Sequence, residues 1–156
     1  MKVEVYSREA ILELLAARFP KNTAVISFHD PQNLRVGHWR PDPPVEYDDA
    51  PAALFYVGVR DLDLDVLWKF GMDYDTYMPE TDALAAFICD AHDRGMDIIC
   101  QCEYGQSRSA ACAAAILEHY EGRGIDIFAD YRYYPNQLIF NKLREALGKE
   151  EKRRQK

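Results

Sequence analysis

The segment Ile98–Ala111 reads IICQCEYGQSRSAA, and it restricts the possible folds more than any other stretch of the chain. Asp97–Gln101 (DIICQ) is a short apolar run of strand length that follows Gly95, as a buried strand would. Ser109–Tyr120 (SAACAAAILEHY) is Ala-rich and predicts a strong helix. A strand that feeds a helix through so short a loop is half of a βαβ unit, and such units build parallel sheets covered by helices.

The rest of the chain fits that layout. Val3–Tyr6, Thr23–Phe28 and Ala53–Val59 are short runs rich in β-branched and aromatic residues and predict strands. Ser7 is a candidate N-cap for a helix over 8–19, where Ile11, Leu14, Leu15 and Phe19 recur at helical spacing before Pro20. Leu84, Phe87, Ile88 and Ala91 share one face of a helix that stops at Gly95, and Pro135–Leu147 (PNQLIFNKLREAL) gives a final amphipathic helix. The prediction is an α/β fold with a central, mostly parallel sheet of four to five strands and helices on both faces. Residues 1–147 form a single domain in this reading, and 148–156 form a charged, disordered tail. His29–Pro51 carries most of the prolines and reads as a long loop, either a wall of a substrate cleft or a solvated connection.

Charge removes several function classes. With a net charge of −7, and Lys152, Arg153, Arg154 and Lys156 confined to the end of the sequence, there is no basic face for nucleic acid. No run approaches the roughly 18 apolar residues of a membrane span, and Met1 is followed by polar residues, so a cytoplasmic monomer without membrane contact is expected. Cys89, Cys100, Cys102 and Cys112 lack the partner spacing of a zinc site and read as free thiols, with no metal or cofactor expected.

The loop Cys102–Arg108 then carries the chemistry. A turn from the carboxyl end of a parallel strand into a helix points successive backbone N–H groups inward, and the helix dipole adds positive potential there. That is an anion pocket. Glu103, Tyr104, Gly105, Gln106 and Ser107 would line it with backbone, and Arg108 would add a bidentate fork to a phosphate. The same field favours a Cys102 thiolate, which can attack phosphorus to give a cysteinyl-phosphate that water then cleaves. The Ser109 hydroxyl would steady the thiolate as it leaves. Cys100 reads as core rather than as a redox partner, and Cys89 and Cys112 read as helix core.

Cys102, five intervening residues, Arg108 and Ser109 match the CxxxxxR[S/T] signature, and the sequence resembles the protein tyrosine phosphatase superfamily, in particular its compact dual-specificity branch. Gly105 falls at that family's glycine, and Pro135-Asn136-Gln137 followed by Phe140 and Leu143 resembles the branch's PN..F..L helix. The resemblance implies a phosphatase of phosphorylated proteins or small phosphate monoesters. Two features depart from the pattern: Gln101 stands where the family usually has His, and the loop contains Glu103, which is expected to point outward. The loop also lacks the lysines with which related lipid phosphatases hold highly charged head groups.

The leaving oxygen needs a proton, which the family takes from an Asp upstream of the nucleophile. Strand phasing favours Asp63, with Asp61, Asp73 and Asp75 as alternatives. Two other readings stand beside a phosphatase. One is a pseudophosphatase or phosphate-binding module; the other is a sulfur-transfer or arsenate-reducing enzyme with Cys100 or Cys112 as relay.

Overall fold

The structure, a computed structural model, describes residues 1–33 and 37–156. Residues 34–36 of the predicted His29–Pro51 loop lie outside the described residues. The elements run in the order β1 (Val3–Tyr6), α1 (Arg8–Ala16), β2 (Thr23–His29), β3 (Ala53–Gly58), a 3-10 helix (Leu64–Phe70), α2 (Thr81–Asp93), β4 (Asp97–Gln101), α3 (Arg108–Glu121), α4 (Ile125–Phe128) and α5 (Gln137–Arg154). The sheet has four strands in the order β1-β4-β2-β3, and every pairing is parallel.

Alternation along the central strands sorts side chains to two faces. Ala24, Ile26 and Phe28 of β2, with Ile98 and Cys100 of β4, enter the larger core, where Leu84 and Ile88 of α2, Ala111 and Ala115 of α3, and Leu143 and Leu147 of α5 meet them. Val25 and Ile99 point the other way, onto Ile11 of α1 and onto Val45 and Tyr47 of the Pro-rich segment. One face is therefore covered by three helices. The other is covered by one helix and a loop, so His29–Pro51 is part of the packing and not merely a solvated connection.

Buried Gln101 fixes that second face. Its Oε1 accepts from the Ser27 hydroxyl and, at 2.9 Å, from the Tyr47 hydroxyl, which also donates to Ser27 Oγ at 3.0 Å. The network joins β4, β2 and the loop through three polar side chains that would otherwise be buried without partners.

Two local expectations change. The final helix does not stop at Leu147 but continues to Arg154, across most of the stretch read as a disordered tail. Arg154 reaches Asp90 at 2.8 Å and Asp93 at 3.3 Å on α2, and Glu150 binds Arg153 and Arg154. These long-range pairs anchor the last turns. The first helix, read over 8–19, is the second change, since it ends at Ala16; after β3, Leu64–Phe70 folds as a 3-10 helix closed by Gly71 in the left-handed region.

Candidate active site

Asp30, Asp61 and Cys102 lie just past the carboxyl ends of β2, β3 and β4, and Ser7 just past β1. In a parallel sheet those ends share one edge, and there the loop Cys102–Ser107 sits.

Surrounding backbone shapes the loop. Cys102 N donates to Tyr6 O at 3.2 Å. The carbonyls of Glu103, Gln106 and Ser107 accept from Arg8 N, Tyr134 N and Asn136 N at 3.0, 2.8 and 3.2 Å. In a trans peptide the N–H opposes the C=O, so carbonyls bound on the outside turn the N–H groups of Tyr104, Ser107 and Arg108 to the inside. Gly105 has a φ of +66°, and a Cβ there would stand 2.8 Å from Ser7 N, so only glycine lets the loop seat against the β1–α1 junction. Glu103 points outward as expected, with Oε2 accepting from Arg8 Nε at 2.7 Å.

Cys102 is 3% exposed, and its Sγ lies 3.0 Å from the hydroxyl of buried Ser109 in the first turn of α3. Arg108 is buried as well. Its Nη1 donates to Asp30 Oδ1 at 2.9 Å and to Val59 O at 2.8 Å, and its Nη2 donates to Asp42 Oδ2 at 3.0 Å. A guanidinium has five N–H donors in one plane. Three are used by this clamp, and the two without partners among the described residues are Nε–H and one Nη2–H. Burial works against the Arg108 charge, but Asp30, Cys102, Asp61 and Asp42 outweigh it and raise its pKa.

Asp30 and Asp42 are the residues that sequence reasoning missed. Asp30 Oδ2 accepts from Asp42 N at 2.7 Å, and Asp30 N donates to Asp42 O at 3.0 Å, so the two form a closed turn around the guanidinium. Burial, then the neighbouring Asp30, push the Asp42 carboxyl up against the pull of Arg108.

The candidate acids separate clearly. Asp61 Oδ1 accepts from Ser107 Oγ and from Asn136 Nδ2, each at 2.8 Å, which places its carboxylate on the loop. Asn136 is 4% exposed and also binds Leu62 O through Nδ2, while its Oδ1 caps α5 at Ile139 N. Asp63 begins the 3-10 helix without capping it and faces a groove lined by Leu64, Tyr133 and Tyr134. Asp73 is turned to Thr76, whose backbone N–H and hydroxyl hold its carboxyl below the usual range. Asp75 lies with Lys142 in a separate depression. Cys89, Cys100 and Cys112 are buried free thiols, and burial pushes Cys112 far up. Among the described residues no cluster of His, Cys, Asp and Glu could hold a metal ion, and no helix is long and apolar enough to cross a membrane.

No family model and no curated protein matches the sequence. Solved structures do. Human DUSP28 superimposes with a TM-score of 0.52 at 18% identity, covering 97% of this chain and 94% of that one. Tk-PTP in its active form gives 0.52 at 14% identity, with 95% and 92% covered. PTPMT1 gives 0.50 at 15% identity, with 97% and 93% covered. At these identities the likeness is one of fold, and the chain has the fold of the compact, dual-specificity-like branch of the protein tyrosine phosphatase superfamily.

Proposed function

We propose that this chain is a cysteine-dependent phosphate monoester hydrolase that acts on phosphorylated proteins, on phosphotyrosine and on phosphoserine or phosphothreonine. The observation that carries the reading is the juxtaposition of Cys102, 3.0 Å from the Ser109 hydroxyl, with a guanidinium whose outer donors are held by Asp30, Asp42 and Val59.

The Cys102 thiolate attacks phosphorus, an S–P bond forms, and the P–O ester bond breaks. Asp61 gives its proton to the leaving oxygen. Its contact with Ser107 supports this assignment over Asp63, the residue that strand phasing favours, because an acid must reach the reacting oxygen. Water then attacks phosphorus and yields its proton to Asp61. The S–P bond breaks, phosphate leaves, and the Ser109 O–H stabilises the returning thiolate. Inward N–H groups of the loop and the free fork of Arg108 neutralise the equatorial oxygens throughout.

The test is hydrolysis of para-nitrophenyl phosphate in EDTA from pH 5 to 8. Wild-type turnover abolished in Cys102→Ser supports the thiolate route. Loss of kcat on a poor leaving group in Asp61→Asn but not in Asp63→Asn supports the acid. A second reading, a phosphate-binding module, is favoured by one observation: Asp30, Asp42 and Asp61 surround Arg108, and Gln101 adds no charge. Tight vanadate binding without turnover would establish it.

A further inference from the structure

A groove of about 810 Å3 opens beside the Cys102–Ser107 loop. Asp63, Leu64 and Asp65 form one wall, and Tyr133, Tyr134 and Pro135 form the other. Its walls adjoin the loop: Tyr134 N and Asn136 N bind the carbonyls of Gln106 and Ser107, and Asp61 holds the same Ser107 two residues before the groove begins.

Each wall carries an open apolar face: Leu64 is 60% exposed and Tyr134 73%. Among the described residues no Lys or Arg lines the groove, while two carboxylates do. Two of its rings already carry a cation of the chain: Arg132, paired with Asp130 at 2.7 Å, lies 5.2 Å from the Tyr133 ring, and Lys142, donating to the Tyr74 carbonyl at 2.6 Å, lies 5.2 Å from the Tyr74 ring, while among the described residues no cation stands over Tyr134. On the far side of the loop Arg8 is paired with Glu103. A chain leaving the phosphate site along this path therefore meets the open Tyr134 ring and Leu64 beside the carboxylates of Asp63 and Asp65. Guanidinium and ammonium groups fit both, by charge and by stacking on tyrosine rings. An anionic lipid surface fits neither.

We propose that the groove docks the peptide segment flanking a phosphorylated residue and selects segments carrying Arg or Lys beside an apolar side chain. The proposal rests on the phosphatase reading for the position of the phosphate.

Two phosphotyrosine peptides of equal length, one flanked by Leu-Arg and one by Leu-Glu, are titrated into the Cys102→Ser protein. The Arg peptide binds roughly tenfold tighter at low salt, and the preference shrinks in 0.5 M NaCl as screening shortens to about 4 Å. Asp65→Lys, a change at an exposed position, abolishes or inverts the preference. Equal affinities at low salt, no binding of either peptide, a preference indifferent to Asp65→Lys, or tighter binding to phosphoinositide-containing phosphatidylcholine vesicles would each overturn the proposal. Wild-type turnover of para-nitrophenyl phosphate is read separately. Turnover without peptide preference removes the docking site and leaves the phosphatase; preference without turnover removes the catalysis and leaves the docking site.

Discussion

Replacing Asp30 by Asn tests whether the Arg108 clamp is a structural necessity. Both Asp30 oxygens accept hydrogen bonds, Oδ1 from Arg108 Nη1 and Oδ2 from Asp42 N. An amide has one acceptor oxygen, so either the guanidinium or the Asp42 N–H faces an NH2 group instead. Losing one buried bond of this charge-assisted kind costs about 1.5–3 kcal/mol. Breaking a buried ion pair outright costs about 3–5 kcal/mol, and here Asp42 and the Val59 carbonyl remain as partial compensation. The side chains of Arg108 and Asp30 are only 5% and 9% exposed, so solvent does little to replace the lost bond. The expected loss is about 3 kcal/mol, or roughly 6–12 °C in Tm for a chain of this size. Urea unfolding with an unchanged slope would measure it, alongside Asp65→Asn as an exposed control expected within about 0.5 kcal/mol. An Asp30→Asn protein within about 0.5 kcal/mol of wild type, with unaltered phosphate affinity, would refute the clamp.

Asp42→Asn should behave differently. Because the folded Asp42 carboxyl lies above its ordinary value, its ionisation opposes folding: the stability is present below the unfolded value and lost as pH rises through the folded one. The Asn variant should therefore show a flatter stability profile above pH 4 by thermal unfolding. Glu80 follows the same sign, since burial raises its carboxyl and its Oε1 has no partner among the described residues; Glu80→Gln should be more stable than wild type at pH 7, with the gain shrinking toward pH 4. Gly105→Ala should cost at least about 1–2 kcal/mol from the positive φ, and more from the displaced Ser7, with loss of vanadate affinity by calorimetry. Gln101→Leu would leave the Ser27 hydroxyl without its acceptor and Tyr47 with Ser27 Oγ alone, and should lower stability by about 1–3 kcal/mol in urea.

That Cys102, Gly105, Arg108 and Ser109 meet around one loop was legible because their placement depends on spacing along one local strand–loop–helix unit. Each of the four strands was legible too, as a short run rich in β-branched, aromatic or other apolar residues. The partners of Arg108 were not. Asp30 and Asp42 stand 78 and 66 residues from it, inside a Pro-rich stretch with no periodicity, and only the closed sheet brings them together. Asp61 and Asp63 lie two residues apart, a difference that strand phasing does not resolve, and it is Asp61 that Asn136 reaches. The helix beyond Leu147 escaped for a similar reason: its lysines, arginines and glutamates look like a solvated tail until Asp90 and Asp93 are placed beside Arg154.

The assembly of the site from four strand ends also has a consequence for folding. Its groups come from Ser7, Asp30, Asp61 and Cys102, so the contacts that join these strand ends span large separations in sequence. Long-range closures of this kind form late and slow the search for the native state. An oxyanion held by the loop would find no binding surface in a fragment or in a partly zipped sheet. Its binding energy would then act on the whole cooperative unit, raising stability by RT ln(1 + [L]/Kd). Recovery of vanadate binding during refolding would thus time the last step of assembly rather than the formation of the Cys102 loop itself.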